Sequence, residues 1–272
     1  MLEIILDEFH ASTLWNGGIF IYTAFAVIIY FFLLPSSKHH SIWRIIAFLA
    51  GILAVYVSLG SPLNIIGRIK FSTHIIQLVL LLLIAPPLLI IGFKMEIIER
   101  IRKKAIVEKI IAIITKPIIA VSLFYVLFYV YHIPFVFNSI RLDLFLNYLA
   151  MLVLFIAAIL VWIPLIRPNR LFGKRRWLYG LVHIILFIPY GAILLAANVG
   201  LYSLYTDIDL FMSSIIVCLP DAEYLTPEFY QSLLPFDPVQ EQKTGGIYLL
   251  ISQVVIFTLS TLLSSRKRSA IP

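Results

Sequence analysis

One cysteine, Cys218, in 272 residues leaves no disulfide framework and no CxxC redox or metal motif. Charge is almost as scarce. Asp, Glu, Lys and Arg make up 13% of the chain, about half the share usual in a soluble domain. No HExxH, no glycine-rich phosphate loop and no nucleophile–base motif occurs, so the sequence reads as non-enzymatic. The first residues, "MLEIILDEFHAS", carry no lysine or arginine and are not expected to act as a cleaved signal peptide. No internal repeat is evident, so the inverted symmetry of many secondary transporters is missing.

What the chain has in plenty is apolar sequence, 61% of residues with a mean hydropathy of +1.01. It comes in seven blocks, about 17–34, 43–60, 73–92, 117–137, 144–166, 177–197 and 246–264. Most are close to the roughly 20 residues that a helix needs to cross a hydrocarbon core. Strands of a membrane barrel would be shorter and would alternate in polarity. The expected fold is therefore all-α: a polytopic membrane helical bundle of seven transmembrane helices, with residues 1–272 as one membrane domain.

Lysine and arginine sort the connections. With the N-terminus outside, 17 of them fall on inner segments and 4 on outer ones. The positive-inside rule then gives N-terminus outside and C-terminus inside. Because the net charge of +7 lies between apolar blocks, it implies a bilayer with an anionic inner leaflet rather than nucleic acid. The stretch "KMEIIERIRKKAIVEKI" from Lys94 fits a helix on that leaflet; a solvated loop helix fits it too. Trp15, Trp43, Trp162 and Trp177 all fall near expected span ends, where interfacial tryptophans collect.

The expected outer face gathers the polar residues. His74 and Gln77 open the third block, one helical turn apart. The fourth block reaches span length only if it runs through "YHIPFVF", which sets His132 one to two turns below the outer surface. Asn138 and Asp143 follow, and Asn147 lies one turn into the fifth block. Polar side chains in spans are costly and tend to face the bundle interior. A single interfacial histidine can equally be a hydrogen-bonding anchor. His183, in the inner half of the sixth block, is expected to bond a neighbouring helix, and His39 and His40 an exposed inner loop.

The one long connection, 198–245, holds seven acids against one lysine. Two helices are expected in it, "DIDLFMSSIIVCLP" and "LTPEFYQSLL", the second with Thr226 as N-cap and Glu228 in its first turn. Together they suggest an ordered cap over the outer face. Met212 and Cys218 are soft, copper-compatible ligands, although packing of a loop helix accounts for them as well. At the N-terminus, Glu3, Asp7 and His10 share one helical face opposite Leu2, Ile5, Leu6 and Phe9. That pattern fits an interfacial helix and adds His10 as a further candidate ligand.

The stretches 59–92, "YHIPFVFN" (131–138), "LVWIPLI" (160–166) and "EQKTGGIYLL" (241–250) occur in the order of a known family. In these stretches the chain resembles the CtaG family of multispanning cytochrome c oxidase assembly factors of Gram-positive type. Leu78 and Asn147 stand where that family usually has further histidines, and His74, Gln77 and His132 keep its pattern. The resemblance implies a chaperone of the cell membrane. Its partner would be an oxidase subunit in the membrane, and copper for the haem–copper centre would be held at the outer face. His74 and His132 would be the metal residues, with Gln77, Asn147, Asp143, Met212, Cys218 and His10 as candidate helpers. Two other readings stay open, a metal-free interaction scaffold and a small-solute or ion transporter.

Overall fold

The computed structural model describes residues 11–35, 40–94, 104–167, 171, 173–217, 226, 228 and 237–266. Among these the chain is helical, with no strand. Five helices are long and apolar enough to cross a membrane, α2 (Ile42–Gly60), α4 (Phe71–Gly92), α8 (Leu144–Ile166), α9 (Gly173–Ala196) and α11 (Pro238–Arg266). A sixth span is counted if α5 (Ala105–Ile114) and α6 (Pro117–Tyr131), which meet at 64°, are taken together. α1 (Gly17–Ile28) continues as a π turn over Ile29–Leu33 and is shorter. This is a multi-pass membrane protein.

α4 lies at the centre. Of its most apolar stretch 61% is buried, against 22% for α2. It packs on α2, α8 and α11, while α9 and α11 pack along each other. Close approach is paid for with glycines: a Cβ on Gly92 would sit 2.5 Å from the Phe48 amide nitrogen and 2.6 Å from the Arg44 carbonyl oxygen. The paired glycines of the "KTGG" stretch do the same for α11. Gly245 faces Phe71 and Ile75 of α4, and Gly246 faces Leu194 and the Gly191 carbonyl of α9.

The prolines of α4 explain a local change of winding. Pro86 and Pro87 have no N–H to donate, and the helix is π-wound just before them, over Val79–Ile84. The Leu82 carbonyl is taken instead by the indole N–H of Trp162, at 2.9 Å. Trp162 is thus a core residue, 1% exposed and stacked on Phe257 with ring centres 4.6 Å apart. The interfacial role expected for it is wrong, because a freed carbonyl inside the bundle needs a donor. Trp15, Trp43 and Trp177 are exposed as expected.

Two further expectations change. The fourth apolar block does not continue through "YHIPFVF". α6 ends at Tyr131 with His132 as its C-cap, and Pro134 starts a separate helix, α7 (Pro134–Arg141). A residue before proline is pushed out of helical backbone angles, so Ile133 is extended and the chain turns. His40 is not in an exposed loop: it is half-buried, 2.7 Å from the Tyr30 hydroxyl. His183 does bond a neighbouring helix, with the Tyr125 hydroxyl of α6 donating to its carbonyl oxygen and lying 3.0 Å from its Nδ1.

Candidate functional site

Three short elements close one end of the bundle, termed here the histidine end. α3 (Pro62–Ile69) links α2 to α4, α7 links α6 to α8, and a 3-10 turn (Ser203–Tyr205) leads into α10 (Ile208–Ile216). Asp207 caps α10 by accepting from the Asp209 and Leu210 amides, and the helix buries Phe211, Ser214 and Ile215. Of the two helices expected in this connection, the first is present as α10. The second helix expected there lies outside the described residues except for Thr226 and Glu228. The exposed Glu228 carboxyl is held below its usual range by hydrogen bonds from its own amide and the Thr226 side chain.

Beneath the cap lie His74 and His132, 0% and 5% exposed, with ring centres 6.5 Å apart. Hydrogen bonding fixes the tautomer of each. Gln77 Nε2 donates to the Ser58 carbonyl and to Asn64 Oδ1, both at 2.9 Å. Its Oε1 is therefore left as an acceptor and faces His74 Nδ1 at 3.1 Å. So Nδ1 carries the hydrogen of His74, and Nε2 keeps the lone pair, 3.4 Å from the Tyr131 hydroxyl. In His132, Nδ1 donates to the Phe128 carbonyl at 2.7 Å. Its Nε2 is buried and has no hydrogen-bond partner among the described residues. Each imidazole thus has its Nδ1 locked by a neighbour; Nε2 of His132 has no partner among the described residues, and Nε2 of His74 accepts a long hydrogen bond from the Tyr131 hydroxyl, which a ligand would have to displace.

Aromatic rings enclose the pair. Phe137 meets His74 edge-on at 5.2 Å, while Tyr190 and Phe128 lie 4.3 Å from His132. The Tyr202 hydroxyl donates to the His132 carbonyl at 3.1 Å. Such packing keeps bulk water from the two rings, which are 0% and 5% exposed. Among the described residues no group of three or more His, Cys, Asp or Glu could hold a metal ion.

The other candidates divide. Gln77 belongs to the site, as does the buried Asn147, whose Oδ1 accepts from Arg141 at 3.4 Å. Asp143 does not: it is exposed and caps α8, accepting from the Leu146 amide at 2.8 Å. Met212 is half-buried, on a different face of α10 from Phe211 and Ile215. His10 and Cys218 lie outside the described residues.

What the sequence reading counted only as loop charge turns out to be structural. Arg68 lies in the last turn of α3 and Arg141 ends α7, and both are fully buried. Arg68 Nη1 donates to the Arg141 carbonyl at 2.7 Å and to the Ser214 carbonyl of the cap at 2.9 Å. Arg141 Nη2 donates to the Gly67 carbonyl at 2.7 Å, which also accepts from the Tyr205 hydroxyl at 2.8 Å. Each arginine thus caps the C-terminus of the other's helix, where the dipole is negative. Burial pushes the Tyr205 phenol up, and the Arg141 and Arg68 guanidiniums pull it the other way. Their signal in the sequence was a shared pattern, a proline, an apolar stretch and a closing arginine in "PLNIIGR" and "PFVFNSIR". Beside them Glu241 pairs with Lys70 at 3.2 Å and accepts from the Ser72 hydroxyl. Its neighbour Gln242 accepts from the Leu201 amide at 2.9 Å, tying the cap to α11.

Comparison with curated proteins and with solved structures gave no match. Comparison with protein families did: residues 19–267 match the family described as cytochrome c oxidase caa3 assembly factor (Caa3_CtaG). That span takes in all but the first two residues of α1 and the whole of α2 to α11, with the two histidines and their hydrogen-bond partners inside it. By that match the chain belongs to the cytochrome c oxidase caa3 assembly factor family.

Proposed function

We propose that this protein assists maturation of a haem–copper oxidase by holding copper as cargo between His74 and His132 at the extracytoplasmic face. Seven spans with the N-terminus outside and the C-terminus inside, in the cell membrane, complete the reading. The observation that carries it is the pair of enclosed imidazoles with Nδ1 committed, Nε2 of His132 unpartnered and Nε2 of His74 held only by a 3.4 Å contact from the Tyr131 hydroxyl. Two imidazoles sharing one ion end-on, with bonds of about 2.0 Å, put ring centres roughly 6 Å apart. The 6.5 Å separation here is of that size. Imidazole nitrogen suits copper, and a two-ligand hold is loose enough to be surrendered to a site with more ligands.

Purified protein should take up about one equivalent of Cu(I), and His74→Ala or His132→Ala should lose it. Deletion of the gene should lower oxidase activity and alter the haem spectra of the membranes. A chain that binds no more Cu(I) than an unrelated multi-span protein would remove the copper clause. Normal oxidase in the deletion strain would remove the assembly role. One observation favours a metal-free scaffold instead, namely that no third ligand joins the pair among the described residues. In that case the histidine variants should support oxidase assembly as well as wild type does.

A further inference from the structure

The corner between α5 and α6 is set by the sequence "TKP" at 115–117. Pro117 opens α6 and pushes the preceding Lys116 into extended backbone, so the chain turns by 64°. Thr115 closes the end of α5: its amide and its hydroxyl both donate to the Ile111 carbonyl, at 3.1 and 2.6 Å. None of the α5 residues is buried. Ile106, Ile110 and Ile113 fall on one helical face, and each is at least half exposed. The exposed Lys109 borders that face, while the exposed Glu108 lies on the far side of the helix. A helix so divided fits poorly in hydrocarbon, where Glu108 and Lys109 would meet lipid. It fits no better in water, where three isoleucines would be bared.

What surrounds α5 points to the surface that takes it. α5 lies at the end opposite the histidines, since α6 runs from Pro117 there to Tyr131 beside His132. That end exposes Arg44, Lys104, Lys109, Lys116, Lys174 and Arg175, against Glu108 as the one exposed acid there among the described residues. The histidine end is the reverse, with Asp143, Asp207, Asp209 and Asp237 exposed. Trp43 and Trp177, both exposed, stand next to Arg44 and two places after Arg175, and tryptophans so placed mark the level of a membrane interface. We propose that α5 lies in that interface with its isoleucines toward the acyl chains, and that its lysines form, with Arg44, Lys174 and Arg175, a basic collar for anionic phospholipid headgroups. Each lysine or arginine near such a surface gains attraction to the lipid phosphates, and its long stem can stay on apolar surface while the charge reaches them. Only Thr115 and Lys116 separate α5 from α6, so an anchored α5 fixes the depth at which α6 enters the bilayer. Copper binding at the opposite end plays no part in this.

Spin labels locate the helix. The full chain is reconstituted, in a Cys218→Ser background, in vesicles of phosphatidylglycerol and phosphatidylcholine. A nitroxide on Ile110→Cys should collide with oxygen more than with a water-soluble nickel chelate, and one on Glu108→Cys the reverse. Oxygen preference at both positions would make α5 part of a span, and chelate preference at both would make it a solvated helix; either overturns the interfacial placement. Lipid choice tests the collar. Wild type should select spin-labelled phosphatidylglycerol over phosphatidylcholine at least about twofold in dilute salt, and the preference should shrink in about 0.5 M salt. Lys104→Gln, Lys109→Gln and Lys116→Gln together should reduce it, and adding Arg44→Gln, Lys174→Gln and Arg175→Gln should remove it. Lys243→Gln, at the histidine end, should leave it unchanged. Equal affinity for the two lipids in wild type, a preference untouched by the triple lysine change, or one lost equally in Lys243→Gln overturns the collar.

Discussion

Both ends of the bundle bury cations, and they do so in the same way. At the end opposite the histidines, Lys94 donates to the Tyr30 and Leu34 carbonyls at 2.5 and 3.0 Å, and Arg176 donates to the Ser264 and Leu171 carbonyls. At the histidine end, Arg68 and Arg141 do likewise for each other's helix. Closing helix C-termini with buried cations is thus architecture common to both ends. The difference lies in what accompanies them. Among the described residues only the histidine end sets two imidazoles side by side, each with one nitrogen locked by a glutamine or a backbone carbonyl. His183 sharpens the contrast. It is equally buried and also bonded, but it stacks on Phe257 with ring centres 4.8 Å apart and packs beside Tyr125 and Tyr179. Burial and a hydrogen bond make a core histidine; a second imidazole within reach makes a candidate site.

The comparison breaks most decisively at the pair itself. The double variant His74→Ala, His132→Ala should abolish Cu(I) uptake and bring oxidase activity of the membranes close to the deletion strain, while His183→Phe should retain uptake. Gly92→Ala at the opposite end should come next. Its new methyl meets backbone atoms of α2 that cannot swing aside, so a loss of about 3 kcal/mol is expected in chemical denaturation. Folded protein should still take up copper. Trp162→Phe removes the donor to the Leu82 carbonyl and should cost about 1–3 kcal/mol, read in the same titration. Asp143→Ala should have the smallest effect. The loss of an N-cap is worth about 1 kcal/mol, and copper uptake should not change, since the carboxylate caps α8 and stays outside the site. A large fall in copper binding in Asp143→Ala would blur the line drawn between site and scaffold.

Much of the fold was legible in the sequence because the bilayer makes it so. A helix must carry enough consecutive apolar residues to cross, and that requirement is written along the chain. His74, Gln77 and His132 were legible for a related reason, since polar residues among apolar ones stand out. Trp162 and His40 were not, because whether a residue at a span end faces lipid, water or a neighbouring helix depends on how the helices pack. Arg68 and Arg141 looked like ordinary loop charges, since nothing local distinguishes a solvated arginine from one buried against another helix's C-terminus. Asp143 misled in the opposite direction. It lies near the site in sequence, and its own helix claims it.

Composition and order alone determined that this chain lies in a membrane, that it is helical, and that His74 and His132 fall toward the same end of their helices. Those properties follow from the solvent and from chain length, which act on each segment separately. Only the tertiary structure decided that two imidazoles stand 6.5 Å apart with their tautomers fixed, and that two arginines from separate loops cap one another. Such contacts join residues up to about 75 positions apart, and their geometry is set by how close the helices can come, which no single segment records.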